Sequence, residues 1–178
     1  NKKTITLTMN LRETILAEHS KVQCNLIVDW VGSSQARFDE LFRLFLHDEY
    51  RVVQRAAWPV SYCVIAHPAF IKKHWKSFIQ KLQEPGVHDA VKRNGLKLME
   101  NIVIPETYQG PVMDLCFQWL ASPTEAVAIK AFALTALANL AKIYPEILPE
   151  MKILVTDQLP RQTAAFRSRV KKLLPGVI

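Results

Sequence analysis

Three cations, Lys92, Arg93 and Lys97, sit in the stretch VHDAVKRNGLKLMENI that runs from Val87 to Ile102. The stretch reads as a helix with an apolar stripe and a basic back. Cations so placed either gather an anionic partner or solvate a helical face, and both readings stay open at this level. Trp58 and Tyr62 follow Arg55 at i+3 and i+7. Aromatic rings among cations can stack bases. The same spacing also covers a neighbouring helix, which is the commoner use of such rings.

The other side chains able to do chemistry fail on spacing. His19, His47, His67, His74 and His88 are the five histidines. No two of them stand at a short helical spacing from each other, so neither a metal site nor His-based catalysis is expected. Asp48 and Asp89 precede apolar helical runs and are expected as caps. Cys24, Cys63 and Cys116 are odd in number, widely spaced and embedded in apolar patterns. They are expected as buried free thiols in a reducing cytoplasm. No phosphate loop, nucleophile elbow or dinucleotide fingerprint occurs. No catalytic residue and no cofactor follow.

These residues need elements to position them. A chain of 178 residues with 49% hydrophobic and 22% charged content can bury one core, so a single domain over 1–178 is expected. Its formal net charge of +7 favours acidic partners. No apolar run approaches the roughly 20 residues of a membrane span. The opening NKKTITLTMN has no long apolar centre and is not read as a signal peptide. Met9 is expected as the natural start, with residues 1–8 a foreign leader.

Internal self-similarity organises the rest. Val53-Gln54-x-x-Ala57, Val91-Lys92-x-x-Gly95, Ile129-Lys130-x-x-Ala133 and Phe166-Arg167-x-x-Val170 share one pattern, with anchors 38, 38 and 37 residues apart. A further apolar segment precedes each, ending on Leu46, Leu82, Leu120 and Leu159. The reading is all-α: helix pairs at about 34–66, 68–103, 106–143 and 145–174, behind a cap helix at about 18–31. Neither helix of a pair can hide its apolar face alone, so the pairs must stack. Ser122-Pro-Thr-Glu125 is read as a capping box opening a helix, with Pro68 and Pro145 opening others. Pro59 falls inside a helix and is expected to bend it to fit its neighbours.

The pattern resembles the HEAT repeat family, whose second helix opens Asp…Val-Arg-x-x-Ala. The resemblance covers roughly 34–174 and implies a right-handed α-α superhelix of HEAT/armadillo-like type. The consensus Asp is present only as Asp48; Gly86, Thr124 and Arg161 replace it elsewhere. The family's Asp–Arg ladder is therefore expected to be incomplete. Family geometry implies that second helices line a concave face, here carrying Arg51, Arg55, Trp58, Lys92, Arg93, Lys97, Lys130, Arg167, Arg169, Lys171 and Lys172. The column Gln54, Lys92, Lys130, Arg167 falls at the ladder position and reads as structural as readily as ligand-binding. The function implied is a non-enzymatic scaffold binding a protein, peptide or acidic ligand on that face. The alternative is nucleic-acid binding, because VQRAAW (Val53 to Trp58) is similar to a helix of the HEAT-like alkylpurine DNA glycosylases. Asp29–Trp30 and Asp114 with Trp119 do not reproduce those enzymes' constellation. The whole chain is also similar to small bacterial HEAT-like proteins of unassigned function, which implies a cytoplasmic home and no membrane partner.

Overall fold

The computed structural model describes residues 9–178, and the expectations for residues 1–8 lie outside the described residues. The described chain is helical throughout. Two helices lead, α1 (Leu11–Ala17) and α2 (Lys21–Val31). Then come α3 (Gln35–His47) with α4 (Tyr50–Ala66), and α5 (Trp75–Leu82) with α6 (Asp89–Asn101). Last are α7 (Glu106–Ala121) with α8 (Val127–Leu140), and α9 (Leu148–Gln158) with α10 (Ala164–Leu173). In the inner row α4 packs on α6, α6 on α8 and α8 on α10, while α3, α5, α7 and α9 form the outer row. This is an α-solenoid of four helix pairs with α2 stacked at its head.

The repeat pattern explains the stacking. All four anchors, Val53, Val91, Ile129 and Phe166, are buried. The residues four positions later, Ala57, Gly95, Ala133 and Val170, are buried too, and Gly95 lets α6 approach Leu82 and Phe78 of α5 closely. Long apolar side chains of the outer row fill the space between pairs. Phe38, for example, stacks on Phe70 of the next pair with ring centroids 4.9 Å apart. Cys24, Cys63 and Cys116 are buried and free, as expected. Burial pushes the Cys24 and Cys63 thiols up to about 12, which keeps them protonated and inert. Pro59 lies within an unbroken α4.

Four details differ from the sequence reading. First, the leading cap is two helices rather than one. α1 begins after the Asn10 cap, whose Oδ1 accepts from the Glu13 N–H at 3.2 Å, and α2 begins after the Ser20 cap rather than at residue 18. Second, Ser122 does not cap α8. Its hydroxyl accepts from the Thr124 N–H at 3.3 Å in a local turn, and α8 starts at Val127. The Glu125 carboxylate that would complete the box is held by a distant lysine. Third, the outer helix of the second pair opens as a 3-10 segment, Pro68–His74, before α5. Fourth, the cap of α6 is His88, whose Nδ1 accepts from the Ala90 N–H at 2.9 Å, rather than Asp89.

A polar cluster pins the 3-10 segment to α3. Asp39 Oδ1 accepts from Gln35 Nε2 at 2.8 Å and lies 2.7 Å from His74 Nε2, while Oδ2 accepts from Lys73 Nζ. Gln35 also donates to the Phe70 carbonyl at 3.2 Å. Partial burial pushes the Asp39 carboxyl up, but hydrogen bonds from Lys73, Gln35 and His74 outweigh it and hold the group at about 2, below its ordinary 3.8. A carboxylate with a depressed folded-state pKa stabilises fully above its unfolded value and loses that contribution as pH falls through the folded one. The effect is therefore expected to be intact at neutral pH and to vanish between about pH 4 and pH 2. Allowing for solvent screening, Asp39→Asn should lower stability by about 1–2 kcal/mol at pH 7. Urea unfolding at a series of pH values should show the two proteins converging near pH 2. A constant gap down to pH 2 would mean that the Asp39 charge contributes nothing.

Candidate functional site

The cations predicted on the inner helices divide into two groups once placed. One group is engaged in holding the stack together. Lys92 donates to Glu125 at 2.7 Å across the join between the second and third pairs, with only 16% of the lysine side chain and 8% of the glutamate exposed. Lys130 is 5% exposed and donates to Gln158 Oε1 at 2.7 Å across the next join. Burial lowers the Lys130 ammonium from its ordinary value, and Glu125 opposes that shift. Arg167 turns back on the carbonyls of Leu159 and Pro160, at 3.1 and 3.3 Å. The ladder that the missing aspartates left in doubt is thus rebuilt with a Glu and a Gln. Asp48, which carries the consensus aspartate, instead accepts from Arg12 Nε at 3.1 Å through both carboxylate oxygens.

Arg55 belongs to the same structural group. Its Nη1 donates to the carbonyls of Leu16 and Ile15, at 2.8 and 3.4 Å, satisfying the last turn of α1. Arg51 is exposed in the first turn of α4 and stands apart from these contacts.

The second group comes together. Trp58, Arg93 and Lys97 line a cavity of about 260 Å³, joined by His19, Ala90, Asn94 and Phe132. α6 supplies the floor through Ala90 and Asn94. α4 supplies Trp58 as one wall and α8 supplies Phe132 as the other, so three successive helix pairs build the site. His19, in the turn between α1 and α2, meets Trp58 edge-on at 5.8 Å. Arg93 is exposed and pairs with no acid among the described residues. Lys97 Nζ lies 4.7 Å from the centre of the Tyr62 ring and 3.5 Å from its hydroxyl, a cation–π seat for the ammonium. Asn94 is spent on the scaffold: its Nδ2 donates to the Ala90 carbonyl at 2.8 Å and its Oδ1 accepts from buried Ser61 at 3.3 Å.

The inner face continues toward α10. Arg169 lies over the Phe132 ring at 5.3 Å and donates to Thr135 Oγ1 at 2.9 Å and to the Ala131 carbonyl at 3.3 Å. It also stands 3.6 Å from Glu100. Burial raises the Glu100 carboxyl above its ordinary value against the pull of Thr135, Arg169 and Lys97. Beyond Arg169 a second hollow opens among Glu100, Thr135, Ser168 and Lys172.

His19, Asn94 and Phe132 were not foreseen as site residues. The repeat register held a signal for two of them. Asn94 and Phe132 each stand three positions after an anchor, as Arg169 does, and in these three repeats that position faces the groove, whereas Ala56 in the first is buried. His19 needed α1, which places the turn that carries it. Among the described residues no cluster of His, Cys, Asp or Glu has the makings of a metal site. Nor is any described helix long and apolar enough to cross a membrane. A family model described as a HEAT repeat domain matches residues 11–176. No curated protein and no solved structure matches the chain.

Proposed function

The chain belongs to the HEAT repeat family, and from that premise we propose that it is a non-enzymatic scaffold binding an acidic segment of another protein along its inner helices. The carrying observation is the charge left over once the scaffold is satisfied. Arg93, Lys97 and Lys172 face the groove with no acidic partner within ion-pair reach among the described residues, and the half-buried Glu100 is the acid among them. The closer packing of α4, α6 and α8 than of the outer helices supports a face that curves inward around a ligand. A row of cations on such a face favours anions and speeds their encounter. A cytoplasmic home fits the three free thiols.

The test is fluorescence anisotropy with a labelled oligoglutamate peptide and with single- and double-stranded DNA of matched charge, each over a salt series. The comparator is Arg93→Gln with Lys97→Gln. Those two changes leave the Lys92–Glu125 and Lys130–Gln158 links intact and remove one contact between pairs, the seat of Lys97 on Tyr62. The peptide is expected to bind at low salt, to weaken as salt rises, and to lose at least fivefold in affinity in the double variant. DNA bound more tightly than peptide, with a steep salt slope, would replace this reading with the nucleic-acid one.

A further inference from the structure

The groove is not uniform, and the cavity over α6 is its most structured part. We infer that this cavity is an anchor pocket for one aromatic side chain flanked by carboxylates, supplied by the acidic segment; the inference rests on the scaffold reading above. Three features carry it. The walls are rings: Trp58 and Phe132 come from helices on opposite sides of α6 and both are half-buried, leaving part of each ring open to the cavity. Arg93 and Lys97 are donors, Asn94 has both ends of its amide occupied, and no carboxylate lines the space. The pocket therefore favours an anion beside a ring and disfavours a cation. Its volume of about 260 Å³ lies below the range usual for cofactor-sized ligands and suits a single side chain.

The flat ring of an incoming Phe or Tyr would lie over Ala90 between Trp58 and Phe132, with its neighbouring carboxylates reaching Arg93 and Lys97. Arg93 suits the first role, since its planar fork binds a carboxylate through two bonds. Lys97, seated on Tyr62, keeps ammonium donors for the second.

Three blocked peptides separate this inference from the reading beneath it: acetyl-Glu-Phe-Glu-amide, acetyl-Glu-Ala-Glu-amide and acetyl-Gln-Phe-Gln-amide. Binding is followed by the indole N–H signals of the tryptophans in two-dimensional NMR. The Phe-centred acidic peptide is expected to bind at least fivefold more tightly than either of the others and to move the Trp58 signal most. Arg93→Gln should remove most of that preference, and exposed Arg93 can be changed without disturbing the core. Phe132→Leu should weaken the Phe-centred peptide and leave the Ala-centred one unchanged. Equal binding of the two acidic peptides would overturn the anchor pocket while leaving the scaffold reading in place. Binding by none of the three, together with no binding of oligoglutamate, would overturn both.

Discussion

Lys92→Ala is expected to destabilise the fold by about 3 kcal/mol, far more than removing a solvated lysine. The carboxylate of Glu125 is 8% exposed and receives the Lys92 ammonium at 2.7 Å. Deleting the lysine leaves a buried negative charge whose remaining partner is the Ala126 N–H, 3.3 Å from Oε1. Lys130 lies close enough to sense Glu125 but is itself committed to Gln158. Removing one partner of such a pair costs more than the pair contributes, because the remaining charge stays out of water. Lys92→Met combined with Glu125→Gln should therefore lose clearly less than the sum of the two single changes, by about 1–2 kcal/mol. Arg93→Ala, on the same helix, should change stability by less than about 0.5 kcal/mol. Urea unfolding of these variants decides the matter. Strict additivity, or a Lys92→Ala protein as stable as Arg93→Ala, would show that Lys92 is a surface cation after all. The result also bears on binding experiments, since any loss of ligand in a Lys92 variant is confounded by loss of fold.

The second large effect concerns the waist of the second helix pair. A Cβ built on Gly95 would lie 2.9 Å from Leu82 Cδ2 and 3.3 Å from Phe78 Cζ. Both neighbours belong to α5 and are fully buried. Gly95→Ala sets two terms against each other. The added methyl must push the Leu82 side chain by a few tenths of an ångström, while alanine gains up to about 1 kcal/mol of helix propensity over glycine. The net change should stay within about 1 kcal/mol. Gly95→Val adds two further carbons beside the Leu82 and Phe78 side chains that the first already crowds. It is expected to cost about 2–3 kcal/mol and to lower the melting temperature by roughly 5–10 °C. Calorimetry of the two variants is the measurement. A Gly95→Val protein melting with the parent would mean that α5 and α6 slide apart freely at this point.

Much of this architecture was legible in the chain, for a physical reason. Stacked pairs must repeat their buried positions, so Val53, Val91, Ile129 and Phe166 announce themselves by spacing alone. What escaped was whatever depends on contact across the repeats. Ser122-Pro-Thr-Glu125 has every local mark of a helix start, yet Glu125 is drawn to a lysine 33 residues earlier and the helix opens later. A local cap contributes about 1 kcal/mol, too little to compete with a buried ion pair. Arg55 looked like part of a ligand face because α1 was not anticipated. Without α1 there was no helix end for it to cap. Asn10 and Glu13 carried the cap signal, but seven residues of helix are too few for periodicity to speak loudly. Within the candidate site, Trp58, Arg93 and Lys97 were named beforehand. Their company of His19, Asn94 and Phe132 appears only when three helix pairs are stacked.

The forward-reaching ladder has one more consequence, for how such a molecule can grow. Each link, Lys92 to Glu125 and Lys130 to Gln158, joins a pair to its immediate successor and to nothing further. In the pair of α9 and α10 the corresponding Arg167 folds back on its own turn. Length is therefore not written anywhere in the middle of the molecule. The third unit carries both halves of such a link, Glu125 toward the unit before it and Lys130 toward the unit after it. Such a protein can be lengthened or shortened by copying and deletion at interior joins.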